Sequence, residues 1–164
     1  MKRTENIKGF TIIEVVLVLA IAGLIFLMVF IALPALQAGQ RDTARKSDVS
    51  NVASAITSYT SSNRGNFPAI GTTTLDAQLG GSGTGTTKKY TSLSNNITSV
   101  TVAAGSTAAA TPTVTAGTIT VYLAMKCDPA GGNTATKTSI LPGTARQYAT
   151  VTMLEGGNGS GYCL

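Results

Sequence analysis

No histidine and no tryptophan occur in the 164 residues, and aromatic residues make up only 5% and charged residues 12% of the chain. The missing histidine removes Ser–His and Cys–His nucleophilic pairs and most zinc sites. Two cysteines alone cannot supply the four ligands of a structural metal site. The seven acidic residues are scattered, with no cluster at active-site spacing. The sequence therefore assigns no catalytic residue, no metal site and no cofactor, and the chain reads as a non-enzyme. Highly charged disorder is excluded as well. What is plentiful is apolar sequence, 43% of residues, beside much Gly, Ser and Thr. Mean hydropathy is +0.24, so the apolar residues must be unevenly placed.

The net charge of +5 is not one patch. Residues 1–9 hold Lys2, Arg3, Lys8 and Glu5, a net of +2, and the remainder carries nine basic and six acidic groups, a net of +3. So modest a surplus reads as a solubility feature, and nucleic acid is not indicated as a partner.

From Val15 to Leu33 the chain runs through 19 residues without a charged or polar side chain. As a helix this run spans ~28 Å, close to the hydrocarbon core of a bilayer. Nothing downstream is apolar enough to wrap such a helix on all sides, which argues against a buried core helix. A secretory signal has a shorter apolar core, usually about 7–15 residues, and a small-residue cleavage site. Pro34-Ala35-Leu36 is a poor site of that kind. Ahead of the run, Gly9-Phe10-Thr11-Ile12-Ile13-Glu14 places a glycine junction and an acid at the membrane edge. A carboxylate there must find a partner, remain at the interface or take up a proton.

Lys8-Gly9-Phe10-Thr11-Ile12-Ile13-Glu14, followed at once by the apolar run, resembles the start of a type IV pilin precursor. The resemblance is specific over roughly residues 8–36 and weaker to residue 68. It implies that a prepilin peptidase cuts between Gly9 and Phe10 on the cytoplasmic side and N-methylates the new Phe10 amine. Gly9 suits this physically, because a residue without Cβ lets a peptidase approach the backbone. The resemblance also implies that Glu14 pairs with the Phe10 amine of a neighbouring subunit during assembly.

Orientation does not follow from charge alone. Three basic residues precede the span and Arg41, Arg45 and Lys46 follow it, a tie in the positive-inside count. The two cysteines favour an oxidising compartment for the C-terminal part, as does cytoplasmic cleavage of the leader.

Gly23 and Pro34 interrupt good helical sequence. Pro34 cannot donate to the Phe30 carbonyl, so a kink or break is expected there. In the family resembled, the stretch between a Gly and a Pro at similar places unwinds inside the filament. Over residues 37–62, Ala38, Ala44, Val49, Val52, Ala53, Ile56 and Tyr59 have mostly helical spacing. Asp42 and Lys46, and Arg45 and Asp48, are spaced for weak local ion pairs. Asn63-Arg64-Gly65-Asn66-Phe67-Pro68 ends this amphipathic helix.

Residues 63–96 read as a loop. Gly80-Gly81-Ser82-Gly83-Thr84-Gly85 lacks the Gly-Lys-Ser/Thr ending of a phosphate-binding loop. Three strand signals follow over residues 97–164. Val100 and Val102 alternate with Ser99 and Thr101. Ile119, Val121, Leu123, Met125 and Cys127 share one face of a strand from Thr118 to Cys127. Ala149, Val151 and Met153 share a face opposite Thr150 and Thr152. These read as half-buried strands of a small antiparallel sheet laid on the outer part of the helix. Asn96-Ile97-Thr98 and Asn158-Gly159-Ser160 match N-glycosylation triplets.

Cys127 and Cys163 would close a loop of about 37 residues, stabilising the fold by roughly 3–4 kcal/mol in the chain-entropy model. Two free buried thiols are the alternative. In many pilins such a bridge fastens the C-terminal segment to the sheet, and the resemblance implies the same here.

The expected architecture is α+β and pilin-like. A leader occupies residues 1–9, a transmembrane or filament-core helix half 10–36, and a head 37–164, with helix at 37–62, loop at 63–96 and sheet at 97–164. The function expected is that of a structural subunit of a type IV pilus serving adhesion, twitching motility or DNA uptake. Its expected partners are other pilin subunits, the prepilin peptidase, the pilus assembly machinery and, before assembly, membrane lipid. The expected location is the cytoplasmic membrane, with the head outside the cytoplasm, and then the extracellular filament. A pseudopilin of a secretion or DNA-uptake system is the first alternative. A membrane-anchored binding protein that never polymerises is the second.

Overall fold

The computed structural model describes residues 9–71, 75–82, 89–94, 97–130, 138–156 and 160–164. Most of residues 1–9, expected as a leader, both N-glycosylation triplets in part, and portions of the two glycine-rich runs lie outside the described residues. The chain divides into two compact units, Met1–Gln37 and Ala38–Leu164.

The architecture is α+β. Helix α1 (Ile12–Ser62) contributes its first part to the first unit and the rest to the second. Gly23 and Pro34, expected to break it, both lie within it and neither ends it. Pro34 removes one hydrogen-bond donor, whereas each neighbouring residue extends an already nucleated helix at little cost.

In the second unit the loop expected over 63–96 is partly ordered. It carries a one-turn helix, α2 (Asp76–Leu79), and a two-stranded antiparallel ribbon of β1 (Gly81–Ser82) and β2 (Lys89–Tyr90). Gly80 ends α2 in the left-handed region at φ 65°, where glycine alone is free of strain.

The main sheet has four strands: β3 (Ser99–Ala103), β4 (Thr118–Leu123), β7 (Tyr148–Met153) and β8 (Gly161–Cys163), in the spatial order β3-β4-β7-β8. A separate ribbon pairs β5 (Met125–Cys127) with β6 (Ile140–Pro142). The sheet is mixed rather than antiparallel, because β3 and β4 run parallel while β4–β7 and β7–β8 are antiparallel. A parallel pair needs a crossover of about a dozen residues or more, and residues 104–117 supply it. The single strand expected over Thr118–Cys127 is two strands. Ala124 adopts φ 55° between them, a conformation that ends regular pairing for a residue with a Cβ.

The two faces of the sheet serve two cores. Cross-strand register places Val100, Ile119 and Thr152 on one face, with Val102, Val121 and Thr150 beside them and Leu123 opposite Tyr148. This face meets α1 at Val49, Val52 and Ile56, which are fully buried. The Tyr148 hydroxyl donates to the Ala53 carbonyl at 3.1 Å, and its ring meets that of Phe67 edge-on at 6.0 Å. The opposite face carries Ala149 and Val151, covered by Val114 of the crossover, Met125 and Ile140. The apolar side of β7 thus points away from the helix, and Thr150 and Thr152 are buried toward it. One sheet face matched to one helix stripe was the expectation. That pairing is present, and a second core is added to it, because the crossover and the β5–β6 ribbon fold over the outer face.

Cys127 of β5 and Cys163 of β8 form a disulfide, with Cα atoms 5.8 Å apart.

Candidate assembly segment and a polar clasp

In the first unit Gly9 and Phe10 lie just ahead of α1, and Phe10 is 84% exposed. The Thr11 carbonyl accepts from the Glu14 amide at 3.1 Å and from the Val15 amide at 3.4 Å, which closes the first turn. Glu14 is exposed in that turn. A carboxylate there is favoured by the partial positive charge of the helix N-terminus. Among the described residues Glu14 has no side-chain partner. The structure therefore places Gly9, Phe10 and Glu14 together at the start of the helix.

Beyond them every large apolar side chain from Phe10 to Leu36 is at least 44% exposed. They occupy all faces of the helix rather than one stripe. A helix apolar all round belongs in lipid or in the interior of a larger body. By length and composition α1 is apolar enough to cross a membrane. No Cβ contact would arise at Gly23.

In the second unit the sequence reading missed a polar clasp. Arg45 is buried, and its Nη1 donates to the Met153 carbonyl at 3.1 Å while its Nη2 meets Glu155 Oε1. Arg41 Nε donates to the other oxygen of Glu155. Asp42 accepts the backbone amides of Glu155 at 2.6 Å and Gly156 at 2.7 Å. A Cβ at position 156 would fall 2.5 Å from an Asp42 oxygen, so any larger residue there displaces the Asp42 carboxylate from its place in the clasp. One turn on, Asp48 accepts the Ser94 amide at 2.8 Å and the Ser94 hydroxyl, and Asn51 donates to the Ser92 carbonyl.

The local Asp42–Lys46 and Arg45–Asp48 pairs expected from spacing are not what these side chains do. Asp42, Arg45 and Asp48 all reach across to other parts of the head, and Lys46 lies 5.6 Å from the Tyr162 ring centre. The signal was available: positions 41, 45, 48, 52 and 56 lie on one helical face. Reading that face by apolar residues alone left its charges out. Among the described residues no group of three or more Cys, Asp or Glu side chains is placed to hold a metal ion.

No protein-family model matches the chain, and comparison with curated proteins and with solved structures gives no match.

Proposed function

We propose that the chain is a type IV pilin precursor, a structural subunit that polymerises through its N-terminal helix. The observation that carries this reading is the all-round apolar, exposed helix surface that starts directly after Gly9–Phe10 and bears one carboxylate, Glu14. A helix of that kind waits in a bilayer and exchanges lipid contacts for contacts with other copies of itself. Lipid is as apolar as leucine, so hydrophobicity alone does not drive the exchange. A specific polar contact supplies direction. After cleavage the Phe10 amine is a cation, and Glu14 is the acid nearest it in sequence. Pairing the two between subunits in a poorly hydrated filament core strengthens the attraction relative to water, with desolvation offsetting part of the gain. A subunit at the wrong height leaves both charges unpaired, which fixes axial register. The head, closed by its disulfide, is suited to the oxidising exterior.

The test is the mass of the N-terminal peptide of the mature protein isolated from its cells. A chain beginning at methylated Phe10 is expected. A mature chain that retains residues 1–9 overturns the reading and favours a membrane-anchored protein that does not polymerise.

A further inference from the structure

The head carries two cores that share no residue. The inner one joins Val49, Val52 and Ile56 of α1 to Val100, Val102, Ile119 and Val121. It contains nothing from the crossover 104–117, from β5 or from β6. The outer one sets Val114, Met125 and Ile140 against Ala149 and Val151. The outer covering has its own internal bonding: Ala110 and Ile140 exchange two backbone hydrogen bonds of 2.9 Å, and the Asp128 amide donates to the Ser139 carbonyl. It turns away from the sheet at Ala124, whose amide donates to the Gln147 carbonyl at 2.8 Å. Its covalent tie to the far strand β8 is Cys127–Cys163. Both cysteines are only half-buried, within reach of a small dithiol.

We infer that Cys127–Cys163 is a redox latch on a separable outer lobe made of residues 104–117, β5 and β6. A dithiol reductant opens it by exchange. One of its thiolates attacks a cysteine sulfur, forms a mixed disulfide and releases the other cysteine as a thiolate. Its second thiolate then closes the reductant's own disulfide and frees the first cysteine. Two electrons and, at neutral pH, two protons reach the protein sulfurs, and the dithiol is oxidised. Reduction restores to the lobe the chain freedom that the bridge had removed. The lobe is then held to the sheet by non-covalent contacts alone, chiefly the buried Val114, Met125 and Ile140 and the Ala124–Gln147 hydrogen bond, so it opens as a local unit ahead of the inner core. Opening bares the outer face of β7, with Ala149, Val151 and Met153, while the inner core keeps its contacts with the helix. This inference does not depend on the filament reading.

Hydrogen exchange followed by mass spectrometry on the full chain in detergent, with and without dithiothreitol at neutral pH, tests it. Peptides holding the amides of Ala110, Asp128 and Ile140 are expected to exchange at least about tenfold faster after reduction, and those covering Val52, Ile56 and Val102 to change less than about twofold. Equal acceleration of both sets overturns the proposal, and so does no acceleration in either. The double variant Cys127→Ser, Cys163→Ser, exchanged without reductant, is expected to reproduce the reduced pattern. A variant whose inner core is also lost counts against separability.

Discussion

Arg45 and Glu155 stand 110 residues apart in the chain and meet as an ion pair, with the arginine side chain only 4% exposed and the glutamate 32%. Breaking a buried pair from one side costs more than replacing the buried member by an apolar side chain, because the first leaves a charge without its partner. Glu155→Ala is expected to lower head stability by about 2 kcal/mol, the partial exposure of Glu155 reducing the penalty of a fully buried pair. Arg45→Met is expected to cost about 1 kcal/mol or less. Urea unfolding of both variants checks the order. Equal losses would mean that the clasp acts by packing rather than by charge.

Among the described residues the buried Thr150 hydroxyl has no hydrogen-bond partner. Thr150→Val keeps the branched shape and removes the unsatisfied oxygen. A gain of about 1 kcal/mol is expected, read as a higher unfolding midpoint at unchanged slope. A loss would place an unseen partner at that oxygen.

Burial pushes the Tyr122 phenol above its usual value of 10.0. The folded chain therefore holds this proton more tightly than the unfolded chain. The stability linked to it is complete below pH 10 and falls as pH rises through the unfolded and then the raised folded value. Tyr122→Phe is expected to flatten the alkaline limb of a stability–pH curve while leaving the neutral region nearly level. An identical alkaline limb in the variant would assign that loss to other groups.

Glu14→Val leaves the Gly9–Phe10 junction intact. Its precursor is expected to be processed normally while the yield of filaments falls well below a tenth of the parent's, since about 3 kcal/mol lost per subunit contact corresponds to roughly two orders of magnitude. Immunoblotting separates precursor from mature chain, and sheared-filament yield measures assembly. Normal filament yield would remove the register role. Unprocessed Glu14→Val precursor would assign Glu14 to peptidase recognition instead.

The apolar first part of α1 was legible because its signal is one-dimensional: an unbroken run of apolar residues long enough for a helix. The inner core was legible too, since Val49, Val52 and Ile56 follow helical spacing and Val100, Val102, Ile119 and Val121 alternate. Other parts of the head depend on tertiary contacts that leave little local trace. Residues 140–142 and 161–163 are strands of three residues containing proline or glycine, too short to show a period. The parallel pairing of β3 and β4 follows from where the crossover packs, not from either strand's composition. Ala124 is an ordinary residue in an alternating run, and nothing beside it announces a positive φ. The charges at 41, 42, 45 and 48 looked like a solvated surface because their partners lie about fifty to over a hundred residues away.

The place of β7 in the sheet has a bearing on biogenesis. It lies between β4 and β8, yet it comes late in the chain. As the chain is made N-terminus first, the inner stripe of α1 and strands β3 and β4 are complete while their later neighbour is still missing. The half-built sheet exposes an unpaired edge on β4, open to pairing with any passing strand. Only arrival of residues 148–163 closes that edge, delivers Glu155 to the waiting Arg45 and brings the second cysteine within reach of the first. Folding of the head therefore has a late checkpoint, and a chain stalled before it is a target for proteases.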